Sequence, residues 1–137
     1  MFDPASLNPF AVLVAWLINM FVGAYWYSPA GFSNQWTKLT GIDIMKLPKN
    51  EANRALGFVA GSALVQAVGL ALVVQALGAR TIGDGLVTGL VLWAGLTAAT
   101  TVGTTFYSER GWSFWWLNAS YFLTVMSVNS IMLAVWR

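Results

Sequence analysis

The sequence predicts an all-α membrane protein with four transmembrane helices, and two observations carry that prediction. Of 137 residues 58% are hydrophobic and only 9% charged, whereas a water-soluble domain carries about 25% charged residues. The seven basic and five acidic residues are also clustered, which leaves uncharged stretches at 4–37, 55–79, 85–108 and 111–136. Crossing roughly 30 Å of hydrocarbon takes about 20 apolar residues, and each stretch supplies them.

The ends of the spans are punctuated. Asn8 and Pro9 read as an N-cap and first-turn pair opening span one, 9–26, and Pro29 helps to end it. Span two is placed at 55–77, with Asn50 as a cap ahead of it and Gly78 suited to the left-handed C-terminal position. Thr81 and Asp84 have capping-box spacing for span three, 85–106, and span four occupies 113–136, ending at Arg137. The first apolar run lacks a basic n-region and follows Asp3, so span one reads as retained.

The loop 28–54 is the one sizeable segment outside the spans. Phe32, Trp36 and Leu39 recur there at helical spacing, predicting a short interfacial helix with Lys38 towards water. Pro48 should stop any helix through 44–47. Four spans put both termini on one side. Lys38, Lys46, Lys49, Arg54 and Arg110 lie on the opposite side, against Arg80 and Arg137 on the terminal side. The positive-inside rule then places the first loop in the cytoplasm and both termini outside.

Shifting the chain by 80 residues exposes an internal repeat. Val22, Gly23, Tyr27, Ser28, Gly31, Ser33 and Trp36 match Val102, Gly103, Tyr107, Ser108, Gly111, Ser113 and Trp116, while Trp26 and Phe32 meet Phe106 and Trp112. The chain is therefore read as two tandem two-helix units related by an axis along the membrane normal, with an insertion in the first after Trp36. Tyr27, Ser28, Tyr107 and Ser108 would form paired polar elbows about that axis. The ordinary reading of Tyr27, Trp36, Tyr107, Trp112, Trp115 and Trp116 is an aromatic belt at the membrane surface.

Small residues mark where backbones can approach. Gly57 and Gly61 form a GxxxG pair, Gly85 and Gly89 another, and Gly95, Ala99 and Gly103 continue at four-residue spacing. Thr97, Thr101 and Thr104 lie nearly opposite that last stripe, which makes span three the expected centre. In span four, Asn118 and Asn129 share a face, with Ser120, Thr124 and Ser127 roughly opposite. Two faces unsuited to lipid on one helix predict a homo-oligomer or another membrane protein as partner, alongside membrane lipids. Asn19 and Gln66 read as interhelical hydrogen bonds.

The run Trp26, Tyr27, Ser28, Pro29 followed by an aromatic and Trp36, the turn Tyr107, Ser108, Glu109, Arg110, then Asn118 with Tyr121 and a terminal Trp136 resemble the bacterial membrane proteins grouped as domain of unknown function 1761. The resemblance covers almost the whole chain. It implies four spans and the bacterial cytoplasmic membrane, and no activity. Asn129 and Ser130 stand in a region where members of that group often carry glycine.

Function is bounded by what is missing. Without His or Cys there is no Ser/His/Asp or Cys/His nucleophile and no usual zinc, haem or thiol site. With no charge inside a span, no proton relay has a carrier. No enzyme activity and no cofactor are expected, and a net charge of +2 needs no nucleic-acid partner. The reading is a non-enzymatic membrane scaffold or accessory subunit. Its alternative is a passive channel or carrier for a small neutral or lipid-like molecule, lined by Asn19, Gln66, Thr97, Thr101, Asn118 and Asn129. A lipid or pigment held in a groove by the tryptophans is a third possibility. Glu109 and Arg110, in a turn at the membrane edge, are the foremost candidate functional residues, set against an ordinary local ion pair between them.

Overall fold

The computed structural model describes residues 2–136, without the side chain of Ile44. Arg137, counted above at the end of span four, lies outside the described residues. The helices are α1 (Pro9–Trp26), α2 (Ser33–Thr40), α3 (Lys49–Ala76), α4 (Ile82–Leu92), a π-helical segment at Trp93–Ala98, α5 (Ala99–Tyr107) and α6 (Gly111–Val135). Short 3₁₀ turns lie at Pro4–Ser6 and Ile44–Lys46. The α4, π and α5 pieces form one continuous span, so four helices are long and apolar enough to cross a membrane.

Several ends follow their predicted chemistry. The Asn8 side chain accepts from the Phe10 and Ala11 amides at 3.0 and 3.4 Å, with Pro9 at the first position of α1. Thr81 accepts from the Asp84 amide at 3.0 Å, while the Asp84 carboxylate reaches back past Thr81 to the Arg80 amide at 3.4 Å. Gly78 adopts φ +67° just beyond α3. Ser33–Thr40 forms the short helix, with Phe32 at its N-cap and Lys38 exposed.

Span two is corrected at its start. The helix begins at Lys49 rather than Ala55, and Pro48 rather than Asn50 occupies the N-cap. Hydropathy located where the chain enters hydrocarbon, but a helix has no reason to stop there. Glu51 suits the first turn of a helix, and Lys49, Asn50 and Arg54 tolerate helix in water.

The predicted centre is also corrected. Span four lies in the middle, not span three. The most apolar stretch of α6 is 44% buried, against 22% for the Ile82–Tyr107 span. Helix α6 packs against α1, α3 and α4, whereas α4 packs chiefly on α6. Asn129 and Asn118 both face α1, and Ser127 and Ser130 face α4. The asparagine face of span four is thus used inside the chain, and so is Ser127 of the opposite face, whereas Ser120 and Thr124 bond to carbonyls of their own helix.

Close approach explains the α4–α6 contact. A Cβ built on Gly85 would lie 2.6 Å from the Ile131 Cα, and one on Gly89 would lie 2.7 Å from the Met126 carbonyl oxygen. Backbone therefore rests on backbone, as a small-xxx-small pair permits. On the other side of α6, Ala11 and Ala15 of α1, Ala67 and Ala71 of α3, and Leu133 and Ala134 of α6 form the main core. Phe10, Phe21, Phe58 and Val65 project outward, more than two-thirds exposed, as lipid-facing residues should.

Both termini meet at one end of the bundle. The Asp3 amide donates to Gln75 Oε1 at 3.1 Å, and Gln75 Nε2 donates to Ser6 Oγ. Trp136 lines the same crevice.

Replacing Gly85 with alanine should cost about 1–3 kcal/mol, because the added methyl meets fixed backbone. Gly69→Ala, whose Cβ would meet nothing within 4 Å, should leave stability unchanged or raise it by up to about 1 kcal/mol through helix propensity. Thermal unfolding in mild detergent, followed by tryptophan fluorescence, measures both.

Candidate functional site

The polar side chains of the spans gather along the seam between α1 and α6. On α1 the buried positions recur every four residues, Ala11, Ala15 and Asn19, and Gly23 continues the row. On α6 the facing row includes Asn118, Tyr121, Val125 and Asn129. Tyr121 packs its ring on Gly23, whose Cβ would stand 3.1 Å from the phenol oxygen.

Hydrogen bonds run the length of this seam. The Tyr27 hydroxyl donates to Asn118 Oδ1 at 2.6 Å. The Tyr121 hydroxyl donates to the Asn19 carbonyl at 3.2 Å and to Asn19 Oδ1. Asn19 Nδ2 then donates to Gln66 Oε1 of α3 at 2.5 Å. Deeper in, Asn129 Nδ2 donates to the Ala15 carbonyl at 3.0 Å, while Asn129 Oδ1 and Ser130 Oγ are buried without a partner. Such pairing is strongly favoured, since an unmatched polar group in hydrocarbon costs roughly several kcal/mol. At the outer end of the seam, burial pushes the Tyr27 phenol well above its ordinary range, so it remains a donor.

Tryptophans supply a second set of ties. Trp93 Nε1 donates to the Ala119 carbonyl at 2.7 Å and Trp115 Nε1 to the Ala98 carbonyl at 3.1 Å. Trp93 and Ala98 are the two ends of the π-helical segment, so α6 grips that irregular turn from both sides. Trp16 and Trp26 make equivalent bonds to the Ala60 and Leu117 carbonyls, each at 2.9 Å. Tyr27 and the buried Trp115 thus join helices, a role beyond that of a belt. The belt reading suits Tyr107, Trp112 and Trp116, all exposed. Trp93 carried no sequence signal, because nothing in a single tryptophan inside an apolar run announces a carbonyl on a neighbouring helix.

The two elbows share local geometry. Trp26 stacks on Phe32 at 4.9 Å between centroids and its counterpart Phe106 on Trp112 at 4.8 Å. Ser28 Oγ donates to the Tyr25 carbonyl, and Ser108 Oγ to the Thr105 carbonyl, at 2.6 and 3.0 Å. These are the same pairs displaced by 80 residues.

Their surroundings differ, so the elbows do not form one paired polar site. Tyr27 is held by Asn118, whereas Tyr107 is 94% exposed. Gly103, the counterpart of Gly23, has nothing within 4 Å of its Cβ position and borders an open groove of about 480 Å³ with Phe106, Tyr107 and Trp112. Gly95, Gly57 and Gly61 are likewise uncontacted. Of the threonines, Thr97 donates to Met126 Sδ of α6 at 3.4 Å, but Thr101 turns back onto the Thr97 and Ala98 carbonyls of its own span.

Glu109 and Arg110 form no ion pair with each other. Arg110 Nη1 instead donates to the Leu39 carbonyl at 3.2 Å, closing the end of α2, and its guanidinium lies 5.5 Å from the Phe114 ring centre. The turn is a Schellman motif. The Arg110 amide returns to the Thr105 carbonyl and the Glu109 amide to the Phe106 carbonyl, both at 3.1 Å, with Glu109 itself at φ +60°. Pro29 occupies the corresponding place in the first elbow, and its ring forbids positive φ. Among the described residues the Glu109 carboxylate has no hydrogen-bonding or ionic partner. A second groove, of about 450 Å³, opens between α2 and α6 beside this joint.

Glu109→Gly should raise stability by about 1 kcal/mol, since glycine adopts the left-handed conformation without the steric cost an L side chain bears. Trp93→Phe and Trp115→Phe should each lose about 0.6–1.7 kcal/mol, the range of interhelical hydrogen bonds in a membrane protein. Unfolding in detergent and a double-mutant cycle of the tryptophans test these values.

No curated protein and no solved structure matches this chain. A family model does, over residues 10–134. The chain accordingly belongs to the family described as Protein of unknown function (DUF1761).

Proposed function

We propose that the protein is a non-enzymatic membrane scaffold or accessory subunit that acts by helix–helix association, with a second copy of itself as its first partner. One observation carries the reading: an interface that the internal repeat leads one to expect is missing from the single chain. The second unit's helix, α6, covers the end of the first unit's α1 with Tyr121 on Gly23 and Asn118 on Tyr27. The reciprocal contact would place α3 on the end of α5. Instead α3 packs on α1 and α6, while Gly103 and Tyr107 stand bare. Gly57 and Gly61, on the loop-side half of α3, stand bare as well.

Two copies can supply each other with what one lacks. The α3 of one laid along the α5 of the other would bury Gly103 and Gly57 in a reciprocal, two-fold arrangement. The passive-pathway reading receives less support, because Tyr27, Asn118, Tyr121, Asn19 and Gln66 are bonded to one another rather than to a lumen. On this reading the protein sits in the bacterial cytoplasmic membrane, as the family resemblance implies, and the distribution of basic residues supports a cytoplasmic first loop with both termini outside.

The chain contains no cysteine, so single introduced thiols are unambiguous. Copies carrying Thr104→Cys and copies carrying Gly57→Cys, co-expressed and treated in membranes with a short bis-maleimide, should give a covalent dimer that neither gives alone. Adding Gly103→Ile should abolish it. A strictly monomeric particle in mild detergent, with no crosslink from this pair, would sink the proposal.

A further inference from the structure

The two elbow grooves have similar aromatic lips but different charge. The one beside α5, described above, has only apolar and tyrosyl walls. The one between α2 and α6 has Trp26, Trp116 and Leu117 as apolar wall and Gln35, Lys38 and Ser113 as polar rim, around about 450 Å³. A volume of that size admits an organic ligand rather than an ion alone.

Its position fixes the chemistry it meets. Helix α2 lies at the loop-bearing end of the bundle, tied by Arg110 to the start of α6, so its level is that of lipid headgroups. Lys38 is exposed and forms no ion pair among the described residues, where the one such pair joins Lys46 and Asp43 at 3.9 Å. Among the described residues no carboxylate lines the groove. Arg110 adds a second positive charge beside Leu39, the residue next to Lys38. Lys38 lies past Trp36, where the chain leaves the repeat, and no cation stands among the residues lining the other groove.

We propose that this groove binds an anionic phospholipid, its phosphate at Lys38, Gln35 and Ser113 and an acyl chain against Trp116 and Leu117. A cationic rim above an apolar trough matches an amphiphile whose phosphate is joined to a chain, and a free phosphate would leave the trough unused. The site does not depend on self-association.

Native mass spectrometry of the purified protein, exchanged in mild detergent into equal amounts of phosphatidylglycerol and phosphatidylcholine, tests the assignment. Retention of one phosphatidylglycerol per chain is expected. Lys38→Gln should weaken that retention about tenfold, the value of a charge-assisted hydrogen bond. Ser113→Trp, a surface change that fills the trough, should abolish it, and Lys46→Gln, outside the groove, should leave it intact. Equal retention of the two lipids, displacement by inorganic phosphate alone, or undiminished retention in both Lys38→Gln and Ser113→Trp would overturn the proposal.

Discussion

How closely α4 lies along α6 decides most of what else this bundle can do. Gly85 and Gly89 let backbone meet backbone at Ile131 and Met126, distances that no side chain would permit. That approach brings Trp93 within reach of the Ala119 carbonyl, and Trp115 within reach of Ala98. In hydrocarbon there is little hydrophobic gain from bringing two apolar helices together, because lipid tails are as apolar as leucine. Packing of small residues and directional hydrogen bonds must supply the association instead. The glycine contact and the tryptophan pair are those two terms, acting on one interface.

The same economy governs the α1–α6 seam. The donors of Asn19, Tyr27, Tyr121 and Asn129 each find a carbonyl or amide oxygen, including backbone carbonyls already used once within their own helix. An asparagine brings more polar atoms than such a seam can match, and at Asn129 the Nδ2 is satisfied while Oδ1 is not. Ser130, fully buried, sits against Gly89, where its Oγ lies 3.1 Å from the position of a Cβ. A small residue is needed there for steric reasons, and serine meets that need while adding a polar atom.

The existence and ends of the spans were legible because charge cannot enter hydrocarbon, and caps such as Asn8 and Thr81 satisfy amides that no other group reaches. The start of α3 was not legible, since nothing in hydropathy distinguishes a helix that ends at the interface from one that continues into water through Lys49 and Arg54. Nor did periodicity say which glycine stripe would be used. Gly57 and Gly61 look like Gly85 and Gly89 in sequence, and only the second pair touches anything. A stripe describes one face, while contact requires the partner that faces it. For the same reason spans three and four were ranked in the wrong order. Both carry two polar faces, but in span three Thr101 and Thr105 return to carbonyls of their own span and only Thr97 reaches α6, through Met126 Sδ, while the asparagines of span four reach across to α1.

The two units differ most where the first contains its insertion. Past Trp36 the chain leaves the repeat, so α2 ends after eight residues at Gly41, in the left-handed conformation, instead of running on as α6 does. That break detaches the second helix of the first unit from the position its counterpart holds. One elbow is consequently roofed by Asn118 and Tyr121, and the other is open. Pro29 and Glu109 follow the same division: a proline turn suffices where α2 folds back at once, whereas the second elbow needs a left-handed residue to launch α6. A duplicated unit in which both copies kept a continuous second helix would close on itself. Here the interruption leaves one lateral face, at Gly103 and Tyr107, and one groove, between α2 and α6, open.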